Sequence, residues 1–400
     1  MLKTWIVGCL IYCSCVANGS AQGSRTIRIY GEVTTVMNRK IRGYITWGKN
    51  LYWTDIFSAG KIGNPYMRYR NIMGDNVRFS DGRRDTPPNH EFSCRFGNIR
   101  SIRVIGDKRI ELGVKGGNVI EIERGRSLAI GSWIAVEPRN GKTENVVWEH
   151  ICEIVFSATP DTINEPKDRP IVGIVETPYG MYKGLVQWDL DENSQESLLD
   201  GRTETTWVSV AFKNIESIKS LGNSSLVTLH SGRELCMWGE NDVNATNRGI
   251  AINMPSIGQV IVGWHDFKSF RTIPLDQLNL PVYDDFGAPE RLFGRVETRD
   301  GRSLEGILVY DLDEAMDFEL LDGNISYRIP FKYVREIEPK NYKYTWVKLS
   351  GGTELVLGGM YDVMATNDGI LIFRTGGEVV YVRWRDVKRI ELWTKGKQND

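Results

Sequence analysis

Gly173–Glu192 reads GIVETPYGMYKGLVQWDLDE, and Gly294–Glu314 reads GRVETRDGRSLEGILVYDLDE. A looser copy, Gly31–Asn50, reads GEVTTVMNRKIRGYITWGKN. The chain repeats itself with a period of about 120 residues, longer than a usual solenoid unit and close to a domain. In each copy Gly-x-Val-x-Thr precedes a turn and Gly-x-x-x-aromatic follows it. The positions are Gly31, Val33, Thr35, Gly43 and Trp47; then Gly173, Val175, Thr177, Gly184 and Trp188; then Gly294, Val296, Thr298, Gly306 and Tyr310. Apolar residues alternate on both sides of the turn, so each strand turns one face inward. Tyr179-Gly180 and Asp300-Gly301 suit the positive backbone angles of a hairpin tip.

A second pattern closes each half of each copy. Phe96, Ile99, Ile102; Phe212, Ile215, Ile218; and Phe331, Val334, Ile337 close the first halves. Trp148, Ile151, Ile154; Trp264, Phe267, Phe270; and Trp384, Val387, Ile390 close the second halves. A spacing of three does not suit a strand. It predicts one short helical turn before a strand resumes, and its recurrence implies six related half-units. In the second halves, Ser231-Gly232 and Gly351-Gly352 read as hairpin tips. The runs beginning at Asp242 and Asp362 lead through Asn247 and Asn367 to Gly249 and Gly369, where glycine supplies a left-handed position.

The expected organisation is a targeting segment over 1–21, a first repeat over 27–156 with an insertion at 70–88, and a linker over 157–170. A second repeat follows over 171–270, a linker over 271–292, and a third repeat over 293–394. The linkers are proline-rich, and the insertion is polar and reads as partly disordered. Lys3 followed by the apolar run Trp5–Val16 is too short to span a bilayer and reads as an export signal. Gly19 and Ala21 suit cleavage. The rival reading is a lipoprotein signal acylated at Cys15. The expected location is periplasmic or secreted, with a membrane-anchored lipoprotein as the alternative and no transmembrane segment in the mature chain.

The half-unit of about fifty residues, strand–glycine turn–strand ending in a short helical turn and a strand, resembles the SH3-like and Sm-like small β-barrels. That resemblance implies an all-β fold of three tandem repeats, each of two small barrels. A six-bladed propeller is the alternative, disfavoured by the long linkers. Sm-like chains often bind RNA, but a net charge of −1 and the absence of a basic run exclude that carry-over here.

Catalytic signatures are missing: no GxSxG, HExxH, Walker loop or GxGxxG occurs. His150 and Cys152 have alternate-residue spacing, but a nucleophile also needs activation and a cleft. Cys94, Cys152 and Cys236 form no CxxC pair and read as three buried thiols, with one disulfide left open. The acidic runs Asp189, Asp191, Glu192 and Asp311, Asp313, Glu314 lack calcium-loop spacing and read as solvated hairpin ends; no metal or cofactor is expected. Recurring Trp264 and Trp384 read as core. Trp53, Trp207 and Trp238 do not recur and are the candidate binding surface. The expected function is a non-enzymatic binding or scaffold module whose partner is a protein or an envelope glycan. A glycan-binding protein using exposed Trp and an enzyme with an unrecognised site are the alternatives.

Overall fold

The computed structural model describes residues 26–62, 65–73, 91–124, 130–131, 133–139, 141–163, 166, 168–323 and 327–393. The chain is all-β: thirty strands form three antiparallel sheets, with one short α-helix at Arg70–Met73 among the described residues. The rest of the polar insertion, the segment read as an export signal and Cys15 lie outside the described residues.

The spacing of three does its expected work. A single 3-10 turn follows each closing aromatic: Phe96–Asn98, Trp148–His150, Phe212–Asn214, Trp264–Asp266, Phe331–Tyr333 and Trp384–Asp386. All six aromatics are buried. Each half thus contributes four strands, a 3-10 turn and a closing fifth strand.

The halves do not pair as separate barrels. In the middle copy the first half supplies Val172–Thr177, Gly180–Gln187, Leu198–Arg202, Trp207–Ala211 and the closing Ile215–Ser220. The second supplies Ser224–Leu229, Glu234–Trp238, Ile250–Met254, Gly258–Val262 and the closing Ser269–Thr272. The closing strands lie side by side at the sheet centre, with Ser217↔Arg271, Ile218↔Phe270 and Lys219↔Ser269 as partners. Outward from Ser269–Thr272 run the first two strands of the first half, then the third and fourth of the second half. Outward from Ile215–Ser220 run the first two strands of the second half, then the third and fourth of the first. Each side of the sheet is therefore built from both halves.

The same ten-strand order recurs in the N-terminal sheet. The C-terminal sheet shows eight of the ten, and its remaining hairpin, Leu320–Gly323 with Tyr327–Pro330, joins the edge of the middle sheet through Gln259↔Arg328. These ladders stay open rather than closing into small barrels. A six-bladed propeller is ruled out as well, because central pairing of the closing strands joins what would be separate blades.

Paired glycines allow this layout. Gly31 faces Gly43, Gly173 faces Gly184 and Gly294 faces Gly306. A Cβ on Gly184 would meet the Asn253 carbonyl oxygen at 2.4 Å, and one on Gly294 would meet that of Glu391 at 2.1 Å. Any side chain there would push the neighbouring strand away.

One ring holds each copy together. Trp188 is fully buried and packs on Phe212 of the first closing turn (5.9 Å between centroids) and on Trp264 of the second (6.3 Å). Tyr310 likewise meets Phe331 and Trp384, and Trp47 meets Phe96 and Trp148. The Trp188 indole also donates to the Asp242 carbonyl at 2.8 Å, and the Tyr310 hydroxyl donates to that of Asp362 at 2.6 Å.

The copies also lock to one another. Lys61 reaches Asp313 (2.6 Å) and Glu319 (3.1 Å), and buried Arg95 donates to the Met254 carbonyl at 3.0 Å. The proline-rich segment 271–292 is not a bare spacer, since its Tyr283 and Phe286 are buried in the core of the first copy.

Trp188→Ala should cost about 3–5 kcal/mol of stability, the usual loss for a fully buried Trp. Denaturant melts measure this; a loss below about 1 kcal/mol would show that the ring is not the centre of its unit.

Candidate functional site

The three candidate tryptophans have different fates. Trp53 is 1% exposed, stacked near Tyr283 (4.6 Å between centroids) and edge-on to Phe156. It belongs to the core and offers no binding face, a correction to the expectation from its non-recurrence. The covering ring comes from Tyr283, far along the chain.

Trp207 is 61% exposed, and Trp238 is half-buried. The ladder brings them together. Arg202 pairs with Trp207 on one side and with Trp238 on the other. Direct antiparallel partners point to the same face of a sheet, so Trp207, Arg202 and Trp238 form one row. Arg202 was not singled out in the sequence, because only the register places it between two indoles.

Beside this row the sheet splits. Leu198–Arg202 pairs with Glu234–Trp238 only at Arg202↔Trp238. Away from that point the hairpin Leu198–Ala211 diverges, and a cleft of about 660 Å³ opens. Val208, Val210, Leu229 and Leu235 give it an apolar lining, while Thr206, His230, Arg233, Glu234 and Cys236 supply polar groups. The volume falls within the range of small-ligand sites. Cys236 is a free thiol and, like Cys152, is exposed where burial was expected; the outward face of its strand carries it to solvent. Trp207–Ala211, which forms one wall, is also the last strand of its sheet.

The other chemical candidates lie elsewhere. His150 and Cys152 are both exposed, and neither lines the cleft. Cys94 is a buried free thiol, and burial pushes its pKa up. Among the described residues no helix is long and apolar enough to cross a membrane.

The acidic runs are not solvated hairpin ends, contrary to expectation. Asp189 is 0% exposed, Asp311 5% and Glu314 7%. Each run is a left-handed turn, with positive φ at Asp189, Leu190, Asp311 and Leu312. The turn aims its first carboxylate at a loop of the other half: Asp189 accepts from the Arg248 backbone and guanidinium, and Asp311 accepts from the Asp368 backbone. Asp242 and Asp362 act reciprocally, accepting from the amides of Asp200 and Asp322 at 2.8 Å. These carboxylates staple the two halves.

Asp189, Asp191 and Glu192 bring oxygens within 4.8 Å of one another, close enough for one hard cation. Arg248 already pairs with Asp189 and Asp191, and Lys49 with Asp191 at 2.6 Å. Burial raises the Asp191 carboxyl, but hydrogen bonds from Arg248 and Lys49 outweigh it and leave it below its ordinary range. Burial, aided by the charges of Asp242 and Asp191, pushes Glu192 up to about 8. Burial also lifts Asp242 to about 6, with Asp189 adding to the shift.

A scan against models of known protein families found no match, and a search of curated proteins found none either.

The raised carboxyls fix a pH dependence. Glu192 and Asp242 hold protons in the folded chain that the unfolded chain has already released, so stability falls as pH rises from the ordinary carboxylate range to about 8. Thermal melts at pH 6 and pH 9 should show a lower Tm at the higher pH. Glu192→Gln should reduce that difference, with the raised carboxyls of Asp311, Glu314 and Asp362 keeping part of it, and an unchanged pH slope in the variant would contradict the assignment.

Proposed function

We propose that the chain is an exported, non-catalytic binding or scaffold module, acting in the cell envelope or outside the cell. The observation that carries this reading is the row Trp207–Arg202–Trp238 beside an open, partly apolar cleft. Exposed Trp next to Arg is the composition of binding hot spots. The export reading rests on Lys3 and the apolar run that follows it.

An exposed indole also stacks on sugar rings, so Trp207 favours an envelope glycan as the second reading. Trp207→Ala separates function from fold. Stability should change by no more than about 0.5 kcal/mol, as for a surface site. Capture of partners from envelope extract should fall by about tenfold or more, the equivalent of about 1.4 kcal/mol. Retained capture would remove this row from the binding surface. Binding on a glycan array, lost in the same variant, would select the glycan reading.

A further inference from the structure

The ladder registers let the three copies be compared position by position. Phe92 and Tyr327 stand where Val208 stands in the middle copy. Lys115 and Gly116 stand where His230 and Ser231 stand. In the middle copy these positions belong to the open cleft. In both other copies the chain covers the position equivalent to Val208, and in the first copy it also covers those of His230 and Ser231.

In the first copy Phe318 packs on Phe92, with 6.0 Å between ring centroids. Tyr283 and Phe286, both buried, arrive from the segment 271–292, and Lys115 Nζ donates to the Phe286 carbonyl at 2.8 Å. A Cβ on Gly116 would meet Ala288 at 3.2 Å, so the same segment continues across the hairpin tip. In the third copy the strand Gly258–Val262 of the middle copy pairs with Tyr327–Pro330, the counterpart of Trp207–Ala211, through Gln259↔Arg328. Tyr182 meets Tyr327 there, ring to ring and hydroxyl to hydroxyl at 3.1 Å. In both copies polypeptide therefore covers the position equivalent to Val208, each time with an aromatic side chain.

We propose that the middle-copy cleft takes an extended peptide segment of a partner protein, seating an aromatic side chain against Val208 and running beside the edge strand Trp207–Ala211. This deepens, and rests on, the binding-module reading. Strand addition to a free edge supplies affinity through main-chain hydrogen bonds, and a pocket supplies specificity through side chains. The cleft has the two parts this mode needs: an unpaired sheet edge among the described residues and an apolar lining. Its mixed charges, Arg233 against Glu204 and Glu234, favour a neutral aromatic anchor over a strongly charged one.

Cys236 lines the cleft and Cys152 lies outside it, and both are free and exposed. They form a reporter and an internal control in the full chain. Random peptides displayed on phage are panned on the full chain, with Val208→Asp as the counter-selected variant. Iodoacetamide labelling of each cysteine is then followed by mass spectrometry. Enriched peptides should share an aromatic residue and slow alkylation of Cys236 on the order of tenfold by blocking access, with Cys152 unchanged. Should Val208→Asp fail to fold, the labelling on the unsubstituted chain still decides. No enrichment, or enriched peptides that leave Cys236 at its free rate, overturns the proposal. Protection of Cys236 that grows with the concentration of the chain alone also overturns it, assigning the cleft to a second copy. Envelope partners captured equally by the unsubstituted and Val208→Asp chains would sink this site while leaving the binding-module reading standing.

Discussion

A single aromatic ring at the end of the second strand is what each unit depends on. Trp47, Trp188 and Tyr310 are each touched by the closing turn of one half and the closing turn of the other. That contact requires both closing strands to lie together, which the central ladder achieves with Ile218↔Phe270, Ile102↔Ile154 and Ile337↔Ile390. Once those strands pair, each half's first hairpin can reach only the third and fourth strands of the other half. Neither half can then bury its apolar face alone. The buried acidic staples follow from the same geometry, since Asp189 and Asp242 each reach across to backbone contributed by the opposite half.

Much of this was legible in local sequence. The Phe-x-x-Ile and Trp-x-x-Ile spacings predicted six helical turns because one turn of 3-10 helix buries residues three apart. Gly232, Gly249, Gly352 and Gly369 carry the positive φ expected of their turns. The exchange of strands between halves was not legible. Hydrophobic alternation says which face of a strand is buried but not which strand lies beside it, and the pairing is decided by the ring shared between the turns. For the same reason the acidic turns read as solvated, because the amides and cations that receive them lie more than 40 residues away.

The candidate site was half legible. Non-recurrence singled out Trp207, which is exposed, and Trp238, which is half-buried, but also Trp53, which is buried. A ring can be private to one copy and still be buried, here by Tyr283. Arg202 and the cleft needed the fold, because the cleft arises where one hairpin diverges from a strand it touches at a single pair. The three copies thus share a frame and differ in what lies over their mouths.

Amide hydrogen exchange on the full chain tests the interlocking most directly. Interlocked halves require the central amides of Ile218 and Phe270 to be among the slowest in the middle unit and to exchange through one common opening. Residues 172–220 and 224–272 should then share that opening and its denaturant dependence. Separate openings of these two stretches, with different free energies, would mean that the halves fold independently and that the shared ring does not hold them together.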